Sequence, residues 1–458
     1  MSEFLFQEFK EVSAKAWKQK IQAELNGADY TKSLVWKNTE GIDVTPFYHQ
    51  DEIKDPFTPI PGQPKNWSVC QSIFVDDVTI ANHLALDAIK RGAEAIQFLA
   101  VKEFLPQALF KEIDFSKTKL YFHFQFLSKD FIETLNEFFK NKNTTFFLNV
   151  DIIGNLTKDG NWFYNLKQDH QILEEIIKNT TSTNTILSVN TSIYQNAGAT
   201  MVQQLAYALA HANEYLNHLN NITISKDIFL TFQVAVGSNY FFEIAKLRAL
   251  RKLYAALAKE YGYSENCHLF VTPSIRNKTI YDYNVNMLRT TTECMSAIFG
   301  GADTICNVPY DALYHKSNEF GERISRNQLL ILKKESYLDM VSNPADGSYY
   351  IESITNQLAE KALALFKEIE KAGGFLKLLK EGVIQKKIKE SAAKEQELFN
   401  EGEKILLGTN KHPNKKDSMK NDLELYPFVK IKPRKTLLEP IIERRLAEKV
   451  EQERLEKE

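Results

Sequence analysis

Gly237-Ser-Asn-Tyr-Phe-Phe-Glu-Ile-Ala-Lys-Leu-Arg-Ala-Leu-Arg-Lys-Leu-Tyr254, followed at a short distance by His268-Leu-Phe-Val-Thr-Pro273, decides how this chain is read. In the first segment Leu247, Leu250, Tyr254 and Leu257 recur at steps of three and four, which places them on one face of a helix. The second is a short apolar run, as expected of a strand buried on both faces. A second helix is predicted over 281–299, carrying Arg289-Thr-Thr-Thr-Glu-Cys-Met295, with Gly300 placed to end it by taking a positive φ. Asp303-Thr-Ile-Cys-Asn-Val308 then reads as another strand. Helix, strand, helix, strand is two units of a parallel α/β repeat.

The same alternation extends outward. Strands are predicted over 69–75, 95–100, 120–125, 145–150, 185–191, 228–236, 268–273 and 304–308. Helices are predicted over 78–91, 103–109, 129–139, 170–178, 199–219, 239–261, 281–299 and 323–336. Eight alternations across roughly 270 residues match the count and size of an α/β fold of the closed (β/α)8 TIM type. The competing architecture is an open doubly wound sheet, but no G-x-G-x-x-G turn follows the first strand.

Three domains are expected. Residues 1–66 form an N-terminal extended arm, with a helix over 12–26 that Ser13 can cap and a stretch broken by Pro56, Pro59, Pro61 and Pro64. The arm is too small to own a core, so it must pack on the barrel or on a partner chain. The barrel domain is placed at 67–385. Residues 386–458 read as a linker-like helical tail, whose alternating Arg, Lys and Glu over 437–458 suggest a solvated or frayed helix.

The chain has 458 residues and a net charge of −2, which implies no general attraction to nucleic acid or anionic lipid. Cys70, Cys267, Cys294 and Cys306 lack metal-type spacing and are expected to be buried thiols of a reducing compartment. No stretch is apolar over the length a bilayer requires. The start, Met1-Ser-Glu-Phe-Leu-Phe, lacks the basic flank and long apolar core of a secretory leader. A cytoplasmic protein is expected.

In a barrel, function belongs to the carboxyl ends of the strands. Those ends offer Asn190, Thr191, Gln233, Ser238, Asn239, Thr272, Ser274, Cys306 and Asn307. They can hydrogen-bond a ligand but form no acid–base set. His123, His211, His218 and His268 each read as structural, no metal-ligand cluster is visible, and Glu243 and Arg248 read as surface or packing charges. No catalytic residue is assigned.

Four stretches resemble the methylmalonyl-CoA mutase family. Trp36-Lys-Asn-Thr-Glu-Gly-Ile-Asp-Val44 resembles its W-x-T-x-E-G-I motif, and Asn239-Tyr-Phe-Phe-Glu-Ile-Ala-Lys-Leu-Arg-Ala249 its N-F-F-x-E-I-A-K-x-R-A helix. Residues 289–307 follow R-T-x-x-E-x-M-x-A-x-x-G-G and the strand after it. Arg326-Asn-Gln, Gly347-Ser-Tyr-Tyr-Ile-Glu and Glu368-Ile-Glu-Lys-Ala-Gly-Gly resemble the end of the barrel domain. The likeness runs from about Phe9 to Gln385. It implies a barrel whose bore holds a CoA ester, and adenosylcobalamin as the cofactor of a radical isomerisation.

The departures point to a non-catalytic chain. Where the family has the histidine of H-x-Q-T-S-G this sequence has Phe270, and where it has S-G-Y-H-M it has Ile193. No counterpart is found of the insertion bearing the catalytic tyrosine, of the N-D-x-L-K-E-F segment, or of the D-x-H-x-x-G cobalamin domain. Phe270 and Ile193 are expected to plug the bore, leaving Gln233, Asn239 and Thr272 as vestigial substrate contacts at the mouth. The resemblance implies a small subunit that binds no cofactor itself and forms a heterodimer with the large catalytic subunit. The alternative is an acyl-CoA-binding barrel completed by a separate cobalamin-binding chain. A docking protein for a mutase chaperone or GTPase is a third.

Overall fold

The computed structural model describes residues 8–53, 57–180, 185–222, 228–430 and 433–458. The first six residues and Pro56, both read above, lie outside them. Ala14–Glu24 (α1) and Tyr30–Leu34 (α2) precede a small antiparallel ribbon, Trp36–Lys37 (β1) with Asp43–Val44 (β2). The chain then alternates Ser68–Val75 (β3), Val78–Lys90 (α3), Ala95–Ala100 (β4), Pro106–Leu109 (α4), Lys119–Phe124 (β5), Lys129–Phe139 (α5) and Phe146–Val150 (β6). Ile152–Asp159 (α6), Leu166–Asn179 (α7), Thr185–Asn190 (β7), Ser192–Asn196 (α8), Met201–Asn220 (α9) and Thr231–Val236 (β8) continue it. Tyr240–Tyr261 (α10), His268–Pro273 (β9), Val285–Phe299 (α11), Thr304–Cys306 (β10) and Glu319–Lys334 (α12) complete the barrel. Tyr349–Lys371 (α13), Phe375–Lys380 (α14), Val383–Asn400 (α15) and Glu448–Leu455 (α16) follow.

Strands β3 to β10 are all parallel and close on themselves, with β10 hydrogen-bonded to both β9 and β3. The fold is the (β/α)8 barrel. Strand alternation divides the core in two. Ile96, Phe98, Leu120, Phe122, Phe232, Val234, Leu269 and Val271 face the helices and join one large cluster. Their neighbours Ala95, Tyr121, Phe147, Phe270, Cys70 and Cys306 face inward and form a separate cluster in the bore.

Several elements differ from the sequence expectation, each for a local reason. Helices α6 and α8 were not anticipated; both are short, and α6 begins where the Asp151 side chain accepts from Gly154 N. Helix α11 starts at Val285 rather than 281, because Ile280, Tyr281 and Asp282 are held in a loop by Glu451, Glu458 and Asp417. At its other end Gly301, not Gly300, takes the positive φ (+83°). Gly300 is needed for another reason: a Cβ there would meet the Leu247 side chain of α10 at 2.8 Å.

The arm is fastened through its resembling motif. Trp36 packs edge-on against Phe242, with ring centroids 5.9 Å apart. Glu40 accepts from Met201 N and Val202 N, each at 2.9 Å, and so binds the N-terminus of α9. Burial pushes the Glu40 carboxyl above its ordinary value, against the pull of those two bonds.

The tail is not a solvated helix. Within 437–458 only Glu448–Leu455 is helical, and residues 437–446 run as a strap over the carboxyl ends of the strands. Leu437 N and Leu438 N donate to Gly160 O at 3.0 and 3.1 Å, Ile441 N to Thr157 O at 2.9 Å, Arg444 N to Asn196 O at 3.0 Å and Leu446 N to Arg276 O at 2.9 Å. These acceptors follow β6, β7 and β9 in turn. Gly160, at φ +81°, has no room for a Cβ, which would lie 2.7 Å from Leu438 O.

Candidate functional site

The bore is closed at its waist by stacked rings. Tyr121 lies against Phe147 with centroids 4.5 Å apart and planes 6° from parallel, and against Phe270 at 4.8 Å. Phe147 stacks on His268 at 4.4 Å. The Tyr121 hydroxyl bonds to His268 Nε2 at 3.0 Å and to Thr304 Oγ1 at 2.7 Å. Burial holds the His268 imidazole neutral, with its pKa down to about 4, and Lys119 and Arg251 add to that while Asp303 opposes it. Phe270 is 1% exposed and belongs to this inner cluster. Ile193, on α8, is buried in the outer cluster between barrel and helices, beside the mouth rather than in the waist.

The other residues singled out from sequence come from β8, β9 and the start of α10. Gln233, on β8, donates to Ser188 Oγ at 3.1 Å, and Ser188 donates to Asn149 O at 3.0 Å. Thr272 is on β9 and half-buried; Asn239 is half-buried just before α10, where its carbonyl accepts from Glu243 N at 2.8 Å. Gln233 and Thr272 lie on the adjacent strands β8 and β9, where Gln233 pairs with Phe270 and Ala235 with Thr272. Asn149 is the polar group that sequence reading missed. It is buried, held at φ +50° where the β6–β7 register shifts, and both polar atoms of its amide lack a protein partner.

A second missed group is the network at the end of β6. His211 Nε2 meets Asp151 Oδ1 at 2.9 Å, and its Nδ1 meets the Tyr194 hydroxyl at 3.1 Å. Tyr215 donates to the same Asp151 oxygen at 2.7 Å, and Asn190 N donates to the other at 2.8 Å. Burial acts against the Asp151 charge, but His211 and these donors hold its carboxyl below the ordinary range. The signal in the sequence was an aspartate directly after a strand. Its partner His211 lies 60 residues on, so the pair is invisible to local reading. Both histidine nitrogens are engaged and the ring is fully buried, so the network braces α9 against the barrel and offers no proton to a substrate.

Charges on the deciding helix α10 are interior, not surface. Lys246 Nζ reaches Glu243 at 2.6 Å, Gln195 Oε1 at 2.6 Å, Gln204 Oε1 at 3.0 Å and Ala235 O at 2.8 Å. Arg248 pairs with Asp346 and Glu352, tying α10 to the start of α13. Lys278 pairs with Glu293 at 2.7 Å. Each of these buried charges has its counter-charge, which is the condition for tolerating it. All four cysteines are free and buried, and among the described residues no three His, Cys, Asp or Glu side chains are placed to hold a metal.

Fold and site together define a (β/α)8 barrel with an aromatic waist, a strapped mouth and buried ion pairs. The family model for methylmalonyl-CoA mutase matches residues 131–456, and the chain belongs to that family. The match runs through the strap. The methylmalonyl-CoA mutase small subunit of Porphyromonas gingivalis is 33% identical over 455 residues, covering 90% of this chain and 71% of that protein. The methylmalonyl-CoA mutase of Rhizobium meliloti is 36% identical over 234 residues, 49% of this chain and 33% of that protein. A methylmalonyl-CoA mutase small subunit of Streptomyces virginiae is 35% identical over 234 residues, 50% of this chain and 38% of that protein.

The strap of residues 437–446 crosses the carboxyl ends of the strands, and the stacked rings of Tyr121, Phe147 and Phe270 fill the waist of the bore. Among the described residues no helix is long and apolar enough to cross a membrane.

Proposed function

We propose that this chain is the non-catalytic small subunit of an adenosylcobalamin-dependent methylmalonyl-CoA mutase. It acts as the structural partner of a large subunit that interconverts methylmalonyl-CoA and succinyl-CoA. In this reading the heterodimer works in the cytoplasm, in propionate metabolism, and the cofactor sits on the large chain. The barrel here is a pseudoenzyme. Gln233, Asn239 and Thr272 are remnants of substrate contacts, and Phe270 and Ile193 stand where the catalytic chain keeps polar groups. Domain limits of 1–66, 67–385 and 386–458 are part of the same proposal.

The observation that carries it is the aromatic waist of Tyr121, Phe147 and Phe270, in a chain most of whose length aligns with a protein named as a small subunit. A radical rearrangement needs a dry cavity open to substrate, with a positioned proton donor. A filled bore with a neutral, buried His268 supplies neither. The exposed apolar side chains of the arm, Phe9, Val12 and Trp17, give a partner something to hold.

The test is co-purification with the large subunit from the same cell, then a mutase assay on each chain alone and on the pair. Full activity only in the pair, with no turnover by this chain, is the expected result. Turnover by the isolated chain sinks the proposal. Tight acyl-CoA binding by the isolated chain in calorimetry would instead favour a substrate-binding barrel completed by a separate cobalamin chain.

A further inference from the structure

The strap ends in a cradle built by another part of the chain. One oxygen of the Glu458 side chain accepts from the Tyr281 hydroxyl at 2.8 Å. The other accepts from Ser418 Oγ, Met419 N and Lys420 N, each at 2.9 Å. Arg454 Nε lies 3.9 Å from the first oxygen, and the Arg454 guanidinium sits 3.8 Å over the Tyr281 ring. Two successive backbone N–H groups, two hydroxyls and a guanidinium converge on one carboxylate. Such a concave set of donors recognises an oxyanion by shape and charge.

The surroundings strengthen this. The Glu458 side chain is sheltered, at 14% exposure. Burial works against its charge, yet the bonds from Tyr281, Met419 and Ser418 hold its carboxyl below the ordinary value. Lys411, Lys415, Lys416 and Lys420 crowd the loop that carries the cradle. Arg454 Nη2 donates to Asn414 O at 2.8 Å and to Asp417 O, fixing that loop in place. Next to the cradle is a cavity of about 330 Å³, lined by Tyr281, Thr409, Lys415, Val450, Arg454 and Glu451, the last of which is paired with Arg445. Tyr281 and Arg454 therefore serve both cradle and cavity.

We propose that this cradle is a binding site for a small organic oxyanion, a carboxylate or a phosphate, whose acid group replaces the Glu458 carboxylate while its body enters the adjoining cavity. Glu458 is the internal competitor. It holds the site until a ligand displaces it, and displacement releases the segment after α16 from the loop at 418–420. The site lies apart from the bore and needs no partner chain, so its failure leaves the subunit reading standing.

The test uses the full chain carrying Glu458→Ala, titrated calorimetrically with inorganic phosphate and, separately, with succinate. An intramolecular competitor acts at an effective concentration in the millimolar range, so removing it should tighten binding of one probe by roughly tenfold or more. Tighter phosphate binding identifies a phosphate site, and tighter succinate binding a carboxylate site. Adding Tyr281→Phe and Ser418→Ala to that variant should abolish the gain. Glu458→Gln, which keeps the shape and removes the charge, gives the same comparison should the alanine variant fold poorly. No gain for either probe in both Glu458 variants overturns the proposal, as does a gain that survives loss of Tyr281 and Ser418 hydroxyls.

Discussion

The two ends of this chain invert the usual relation between polarity and burial. The arm is rich in large apolar groups, yet Phe9, Val12 and Trp17 stand 72%, 54% and 49% exposed. The tail alternates Arg, Lys and Glu, yet Arg445 and Glu451 are 4% and 1% exposed. What separates them is where partners are found. Arg445 donates to Glu451, to Lys278 O at 3.1 Å and to Pro427 O at 3.1 Å, so its charge is paired within the chain and both terminal nitrogens are bonded, while its Nε has no protein partner. The outer arm finds fewer such partners: the Glu40 and Trp36 segment reaches α9 and α10, and Tyr48 meets Tyr350 of α13 with ring centroids 5.1 Å apart. Hydropathy reports the cost of leaving water, while burial reports whether the fold returns that cost in paired bonds.

The sharpest way to break this contrast is Arg445→Ala. Leaving Glu451 buried without its cation should cost about 3–5 kcal/mol, read as a lowered denaturant midpoint. An unchanged midpoint would mean that the tail is as loose as its composition suggests. Trp17→Ala probes the other end. It should change stability by less than about 0.5 kcal/mol. In a pull-down or titration with the large subunit it should weaken association by about 2 kcal/mol, roughly 30-fold. A large loss of stability with no change in association would reverse the roles assigned to the two ends.

Glu40→Ala tests the arm's attachment to α9. Unbinding the N-terminus of α9 should cost about 1–2 kcal/mol, and arm amides should exchange faster in hydrogen–deuterium exchange while the strap is unaffected. Acid should separate the ends by sign. Arg276 and Lys404 hold the Glu395 carboxyl, beneath the strap, below its ordinary value despite burial. Its stabilisation is present above the unfolded pKa of about 4.3 and is lost as pH falls through the lower folded value. Burial raises the folded pKa of Glu40, so its contribution is greatest below about pH 4.3 and declines as pH rises through the higher folded value. Exchange measured from neutral to acid pH should therefore show the strap loosening while the arm contact does not.

Much of the barrel is readable because a parallel strand buried on both faces is a short apolar run, and an amphipathic helix repeats at three and four. That logic placed β4, α5 and β9 at their observed limits. It failed for α8, only five residues long, and for α6, whose start depends on a side-chain cap. It failed for the tail, where the groups that bury Arg445, Glu451 and Glu458 lie between Lys278 and Pro427 and leave no local mark. At the site, alternation tells which strand residues face inward, as for Tyr121 and Phe270. It does not tell which share a level, because that is set by the stagger of strands around the barrel. The meeting of Tyr121, Phe147 and His268, and of Asp151 with His211, was therefore out of reach.

Chain synthesis gives the strap a timing. The carbonyls of Thr157, Gly160, Asn196 and Arg276 emerge from the ribosome long before residues 437–446 that will bond them; Leu437 and Asn161, hydrogen-bonded in the finished fold, are 276 positions apart. Because domains assemble from the N-terminus as they are made, the nascent barrel stands lidless until residues 437–446 appear. During that interval its open rim is the surface on which chaperones or unwanted neighbours would act.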